Sequence, residues 1–324
     1  MHRYGVQPAA TPVPAFVATT GGHLVQLHTL APMLEPERYR DGVWITHRTP
    51  QSESMLRDEN VVFVPPVHAR QWFTALRRTP PVLAALRRHG VDTVYSTGAA
   101  LALSALPLAR LVGARPVYVE SLARSTGPSL AGRVLAGLPW VPVYTQYPQN
   151  AGRRWRYEHS LLDAFATEPA AGAPEPRRVL VTLGTTRPWQ FRRLVERMLA
   201  IVPPDWEVVW QTGVTDVSGL PVDARPMMSD EEFRAEIDRA DVVVSHAGVG
   251  TFLRCLQAGS VPVLVPRRAR FGEHVDDHQE QIATVADARG LALMREADAL
   301  TTEDLRLAAA SRAVRVDAAR GDAP

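Results

Sequence analysis

Short apolar runs alternate with helical patterns along most of the chain. In the first half the runs are Ala15-Phe16-Val17-Ala18, Val43-Trp44-Ile45, Val61-Val62-Phe63-Val64, Thr93-Val94-Tyr95-Ser96 and Val117-Tyr118-Val119. In the second half they are Val179-Leu180-Val181-Thr182, Val208-Val209-Trp210, Val242-Val243-Val244 and Val261-Pro262-Val263-Leu264-Val265. Near-continuous β-branched runs separated by helices predict parallel sheets covered on both faces. One such helix runs from Leu101 to Leu111 and is stopped by Gly113. Another follows the Val242 run, extends to about Ala258 and stops at Gly259. Between the two sets, residues 168–176 read Glu-Pro-Ala-Ala-Gly-Ala-Pro-Glu-Pro, a linker composition. The pattern therefore predicts an α/β half over 14–167, a linker over 168–177 and a second α/β half over 178–301. A closing helix is expected from Thr302 to about Ala319, with a frayed tail to residue 324.

Composition narrows this picture without redirecting it. The chain has 324 residues, 46% hydrophobic and 22% charged, enough for a sizeable buried core. The formal charge of +2 gives no sign of a nucleic-acid partner. Every cationic side chain other than histidine is arginine, which excludes a P-loop lysine and Schiff-base chemistry. A single cysteine, Cys255, excludes an intramolecular disulfide and a multi-cysteine zinc site, and reads as a buried structural thiol in a reduced, cytoplasmic setting. The first thirteen residues lack a charged start followed by an apolar run, so no signal peptide is expected. No stretch approaches the ~20 apolar residues of a membrane span, so any membrane contact is expected to be peripheral.

Three strand-loop-helix junctions carry the candidate chemistry, because ligands of open parallel sheets bind beyond the carboxyl ends of the strands. The first is Thr19-Thr20-Gly21-Gly22-His23-Leu24. Its two glycines allow a sharp turn and close approach to a ligand, and His23 suits proton transfer near neutral pH. A histidine that merely caps the next helix fits the same residues. The second is Leu183-Gly184-Thr185-Thr186, a turn whose amides can face a phosphate or sugar, or simply an ordinary tight turn. The third is Ser245-His246-Ala247-Gly248-Val249-Gly250-Thr251. Gly248 and Gly250 free the backbone so that amides at a helix N-terminus point at an anion. Thr251 can cap that helix or donate to a phosphate, and His246 can add a hydrogen bond or, when protonated, a positive charge. The spacing is not the dinucleotide fingerprint, since the third glycine is missing.

Beyond it lies Val265-Pro266-Arg267-Arg268-Ala269-Arg270-Phe271-Gly272-Glu273-His274-Val275-Asp276-Asp277-His278-Gln279. This stretch reads as a loop too polar and arginine-rich to be core, whose carboxylates and amides can grip sugar hydroxyls or stay solvated. Asp276, Asp277, His274 and His278 raise the question of a metal. All lie in one loop without His-Glu-x-x-His spacing, so no metal site is expected.

Residues 178–300 resemble the C-terminal domain of family 28 glycosyltransferases. The resemblance rests on Val181-Thr182-Leu183-Gly184-Thr185-Thr186, Ala240-Asp241-Val242-Val243-Val244-Ser245-His246-Ala247-Gly248 and Asp277-His278-Gln279. The first half is similar to the acceptor- and membrane-binding subunit of the dolichol-pathway N-acetylglucosaminyltransferase. There the matches are Gly21-Gly22-His23, Ser96-Thr97-Gly98-Ala99 and Val119-Glu120-Ser121-Leu122-Ala123-Arg124-Ser125. The chain thus resembles that subunit fused ahead of the donor-binding one, with bacterial polysaccharide glycosyltransferases close by and peptidoglycan-precursor transferases sharing the architecture more remotely.

The resemblance implies a GT-B fold, α/β with two Rossmann-like domains whose parallel sheets face across a cleft. It implies an inverting hexosyl transfer from a UDP-sugar to a polyprenyl-diphosphate-linked acceptor at the inner face of the plasma membrane, with no metal or other cofactor. By that analogy His23 is the base and Glu120 orients it or meets the acceptor. Gly21, Gly22, Gly98, Ser121 and Arg124 lie on the acceptor side. Backbone near Met227 meets the uracil, Gly184, Thr185, His246, Gly248, Val249, Gly250 and Thr251 surround the diphosphate, and Asp277 and Gln279 contact the donor sugar.

One position departs from the family pattern. Many relatives carry a glutamate for the ribose hydroxyls where this chain has Arg254, which accepts no hydrogen bond. Either another group holds the ribose, the helix is shifted, or the nucleotide differs. Arg254 itself is read as a phosphate or acidic-sugar contact, or as a surface arginine. The alternatives to a transferase are a non-hydrolysing UDP-sugar epimerase and a silent nucleotide-sugar-binding subunit; a nicotinamide-dependent oxidoreductase lacks its glycine motif.

Two segments, 68–89 and 130–141, combine apolar residues with arginines and suit either an anionic bilayer or the protein core. Pro80 and Pro81 are expected to split the first into two short helices.

Overall fold

Residues 12–66, 72–170, 172, 175–185 and 187–316 are described in a computed structural model, with backbone alone for 72–78. Two units divide the chain. One comprises Met1–Arg48, Leu56–Val119 and Leu130–Tyr144; the other Thr49–Met55, Glu120–Ser129 and Thr145–Pro324.

The first sheet is built from β1 (Val13–Val17), β2 (Val43–Thr46), β3 (Asn60–Phe63), β4 (Val91–Ser96), β5 (Arg115–Val119), β6 (Val143–Thr145) and β7 (Trp155–Tyr157). Their order is β3-β2-β1-β4-β5-β6-β7. Strand β1 runs parallel to both β2 and β4, so the order reverses beside it. That reversal is the doubly wound switch point, where loops diverge and leave a crevice at the carboxyl ends. The helices of this region are α1 (Gly22–Leu34), α3 (Trp72–Arg88), α4 (Ala99–Ala105) and α5 (Leu130–Ala136); α2 (Pro50–Met55) belongs to the other unit. Phe16, Trp44 and Tyr95, one from each central strand, stack with ring centroids 4.7 and 5.8 Å apart.

Helix α3 corrects one expectation. It continues through Pro80 and Pro81 as a single helix. Proline removes a hydrogen bond and crowds the preceding turn, yet its φ near −65° is itself helical, so the cost is absorbed here without a break. Residues 68–71 lie outside the described residues. After α4 the chain tightens into a 3₁₀ segment, Leu106–Val112, and ends at Gly113 with φ 80°, as the glycine predicts.

The second sheet repeats the order. It contains β9 (Arg178–Thr182), β10 (Glu207–Gln211), β11 (Ala224–Arg225), β12 (Val242–Ser245), β13 (Val263–Leu264) and β14 (Leu293–Met294), ordered β11-β10-β9-β12-β13-β14. It is preceded by β8 (Phe165–Pro169), which includes Glu168 and Pro169 of the expected linker. Alternation along β9 sends Val179 and Val181 to one buried face, with Phe191, Leu194 and Met198, and Leu180 to the other, with Phe233, Ile237 and Cys255. Both faces are covered, which is why the run carries no polar alternation. Cys255 is fully buried, and burial pushes its thiol up to about 12, so it stays an unreactive thiol.

The covering helices are α6 (Arg192–Ile201), α7 (Asp230–Arg239), α8 (Val249–Gln257), α9 (His278–Ala288) and α10 (Thr302–Ala309). Helix α8 ends at Ala258 and Gly259, the latter at φ 81°. The expected closing helix is shorter than its alanine-rich sequence suggests. Helix α10 stops at Ala309, and β15 (Ser311–Arg315) then pairs antiparallel with β8. The exposed edge of β8 captures a segment whose intrinsic preference is helical.

Candidate functional site

In the first unit the candidate residues gather where β1 and β4 end. Gly21, at φ 85°, opens α1, so His23 sits in its first turn, half-buried. Its Nδ1 lies 3.0 Å from the carbonyl oxygen of Thr97, in the loop after β4, and Thr97 Oγ1 donates back to the His23 carbonyl at 2.9 Å. A carbonyl only accepts, so Nδ1 carries the proton and Nε2 is the basic nitrogen. Gly98 caps α4 at φ 125°, and a Cβ there would meet His23 Cε1 and the Tyr118 hydroxyl at 3.1 Å. The Gly21-Gly22-His23 and Thr97-Gly98 motifs are thus one structure, each fixing the other across the switch point.

Glu120 is buried, with Oε1 accepting from Ser121 N at 3.0 Å and Oε2 from Ser129 N and Oγ at 2.9 and 3.1 Å. Its carboxylate ties the 120–129 loop into a ring. Ser121 Oγ accepts from Ala123 N at 3.2 Å, and Arg124 lies 3.5 Å from Asp276.

The switch point of the second unit holds the other cluster, where β9 and β12 end. Helix α8 starts at Gly248, with no side-chain cap and no acid in its first turn. The N–H groups of Val249, Gly250 and Thr251 therefore lack intrahelical acceptors and stand at the positive end of the helix dipole. Thr251 lies in the first turn rather than at the cap, so it does not cap the helix. The His246 imidazole fills the slot between two glycines. A Cβ on Gly184 would come within 2.5 Å of its Nε2, and one on Gly248 within 2.3 Å. Gly184 also adopts φ 77°, and its carbonyl packs against Gly213. Thr185 follows Gly184 on the same loop; Thr186 lies outside the described residues.

His246 does not add the positive charge that protonation would give. Burial, then the Arg267 cation, pushes it down to about 3, so at neutral pH it is an uncharged hydrogen-bonding ring. The positive charge comes instead from Arg267, which composition alone places in a polar loop. It is 1% exposed, bonds the Leu183 carbonyl and lies 5.9 Å over Phe191. Burial lowers its pKa to about 10, still charged near neutrality. The loop's arginines are therefore partly core. Arg268 pairs with Glu280 and Glu296, and Arg193 holds Glu273 at 3.0 Å.

A model of the glycosyltransferase family 28 C-terminal domain matches residues 178–310, the span that contains both glycine turns and this loop. Over these residues the chain matches glycosyltransferase family 28. It is 27% identical over 344 residues to the UDP-N-acetylglucosamine--N-acetylmuramyl-(pentapeptide) pyrophosphoryl-undecaprenol N-acetylglucosamine transferase of Cupriavidus metallidurans, covering 93% of this chain and 90% of that protein. It is 30% identical over 234 residues to the protein of the same name from Parasynechococcus marenigrum, covering 64% of this chain and 60% of that one. Among solved structures, MurG of Acinetobacter baumannii aligns at TM-score 0.55 and 20% identity over 91% of this chain and 89% of its own. The glycosyltransferase VinC, solved in complex with dTDP, aligns at TM-score 0.50 and 17% identity over 90% and 89%. The fold is GT-B, with two Rossmann-like sheets.

In this transferase the remaining predicted donor residues divide. Gln279 is buried, and its Oε1 accepts from Arg267 N at 3.0 Å; Asp277 Oδ1 accepts from Ala269 N at 2.8 Å. Both fasten the 267–279 loop onto its own backbone. Met227, 55% exposed, precedes the buried Met228 and the Ser229 cap of α7. Arg254 is no surface arginine. It is 5% exposed, paired with Asp230 at the start of α7, and its Nη2 lies 3.6 Å from Met55 Sδ of α2. Its charge is spent inside the protein, which removes the phosphate-contact reading. Asp230 was missed because nothing in the sequence pairs two positions on different helices.

Proposed function

We propose that this enzyme inverts configuration while moving a sugar from a UDP-sugar to the hydroxyl of a polyprenyl-diphosphate-linked acceptor in cell-envelope polysaccharide or glycoconjugate synthesis. The observation that carries the reading is the uncapped N-terminus of α8, whose amides stand beside a neutral His246 and a buried Arg267. A departing diphosphate gains negative charge, and preorganised N–H donors stabilise that charge as it forms. The relatives named above supply the substrate class by their names, which specify a UDP-sugar donor and an undecaprenol-linked acceptor.

On the acceptor side, His23 Nε2 takes the hydroxyl proton as oxygen attacks the anomeric carbon. The Thr97 carbonyl supports this by holding the proton on Nδ1 and by stabilising the imidazolium that forms. Residues 14–167 are then the acceptor side, and residues 178–301 the donor side. The reaction needs no cofactor in this reading. Lipid access is supported by the exposed Leu108, Leu111, Leu130 and Val134, with Arg110 and Arg133 among them. No helix among the described residues is long and apolar enough to cross a membrane. A peripheral site at the cytoplasmic face fits an acceptor whose sugar head must be reached from water.

The test is turnover by purified protein with a panel of UDP- and dTDP-sugars, with and without membrane lipid extract. Lipid-dependent nucleotide release with one UDP-sugar is the expected result. Interconversion of free UDP-sugars without lipid would replace the proposal with an epimerase. Saturable nucleotide binding without turnover, in extract that supports synthesis by a control enzyme, would replace it with a silent subunit.

A further inference from the structure

The five residues 274–278, which run into the first residue of α9, bring two imidazoles and a carboxylate together. The ligand-capable atoms of His274, Asp276 and His278 all lie within 4.8 Å of one another. His278 Nδ1 is hydrogen-bonded to Asp276 Oδ1, and His274 Nδ1 lies 3.7 Å from the same oxygen. The two rings meet edge to face with centroids 4.7 Å apart. His274 is only 11% exposed along its side chain, and Trp189 stacks against it at 5.7 Å. Its Nδ1 is buried with no hydrogen-bond partner, an arrangement that costs free energy unless something fills it.

The surrounding loop is fixed independently of the triad. Asp277, Gln279 and Glu273 each accept from a backbone amide of residues 267–269, at 2.8, 3.0 and 2.9 Å. Donors held on a stapled loop lose little freedom on binding an ion.

We propose that His274, Asp276 and His278 form a binding site for a divalent transition ion, Zn²⁺ or a cation of similar chemistry. Two nitrogens and one carboxylate oxygen are a donor set for such ions rather than for Mg²⁺ or Ca²⁺, which require oxygen. Metal bonds of ~2.0–2.2 Å place neighbouring donors about 3.4 Å apart, so side-chain rotation closes the triad without moving the loop. The ion takes the place of the proton between His278 and Asp276. Asp276 and His278 keep access to solvent, with side chains 43% and 21% exposed. Three protein ligands leave a fourth position for water or an oxygen of a bound molecule.

Arg124, 3.5 Å from the other Asp276 oxygen, supplies the countercharge that an ion would replace. It therefore competes with metal, and its removal strengthens binding.

The experiment is calorimetric titration of metal-free, full-length protein with Zn²⁺, paralleled by Co²⁺ absorption to report nitrogen and oxygen ligation. Wild type is expected to bind one equivalent through this triad, with Mg²⁺ unable to compete at millimolar levels. Asp276→Asn and His278→Gln are each expected to weaken that site more than about a hundredfold, beyond the usual effect of losing a supporting partner. Arg124→Ala is expected to tighten it about tenfold, by removing one unit charge a few ångströms away. This last variant keeps all three ligands, so misfolding of a ligand variant cannot imitate the whole pattern. Unchanged affinity in both ligand variants, no one-equivalent site in wild type, or weaker binding in Arg124→Ala would overturn the proposal.

Discussion

His246 shows how one side chain acquires its chemistry from its neighbours. Its ring is held between Gly184 and Gly248, where any Cβ would strike it, so the two glycines serve the imidazole as much as the backbone. Gly248→Ala is expected to cost about 1–3 kcal/mol in chemical denaturation and to raise the donor KM, because the ring must leave its slot. The pH behaviour follows from the lowered pKa. The unfolded ring titrates near its ordinary 6.5 and the folded ring at about 3, so the unfolded state binds the extra proton between those values. The resulting stability is complete above pH 6.5 and is lost as pH falls toward 3. His246→Gln should therefore flatten the acid limb of a pH–stability profile over that window; an unchanged limb would refute the assignment. Arg254 makes the complementary point. Its sequence position suggested a ligand contact, whereas burial and Asp230 make it structural. Asp230→Ala, which leaves the cation buried and unpaired, is expected to destabilise by about 3 kcal/mol or more, read from urea unfolding. Such a partner is invisible in sequence because the ion pair links α8 to the start of α7, and periodicity reports only what lies along one helix.

At the scale of elements, the strands and the glycine-ended helices were readable because each is specified locally. Strand β9 is uniformly apolar since both its faces are covered, and α8 ends where Gly259 takes a positive φ. The misreadings came where a neighbour overrides local preference. Segment 311–315 is drawn into a sheet by the edge of β8, and α3 runs through two prolines. The buried role of Arg267 was equally hidden, because composition cannot tell a solvated arginine from one seated on Phe191. Helix α8 offers a test that separates stability from binding. An acid in a first turn favours the helix by roughly 0.3–1 kcal/mol, yet the same charge repels a diphosphate. Thr251→Asp is therefore expected to leave the melting temperature unchanged or slightly raised while weakening UDP binding at least tenfold by calorimetry. Equal UDP affinity in this variant would remove α8 from the donor site.

For the molecule as a whole, the fold repeats one strand order twice, and each half presents its candidate chemistry at its own switch point. The first collects a histidine with a fixed tautomer, the second a helix N-terminus without a side-chain cap. Under the proposed function, His23 removes the proton and the N-terminus of α8 stabilises the leaving group. General-base catalysis contributes ~10²–10⁴-fold, so loss of His23 should fall in that range and appear in kcat rather than in donor binding. The most direct measurement is the rate of lipid-dependent UDP release by wild type and His23→Ala, with UDP affinity measured on the same samples. Turnover is expected to fall at least about a hundredfold with UDP affinity unchanged. Equal turnover in the two proteins would contradict it.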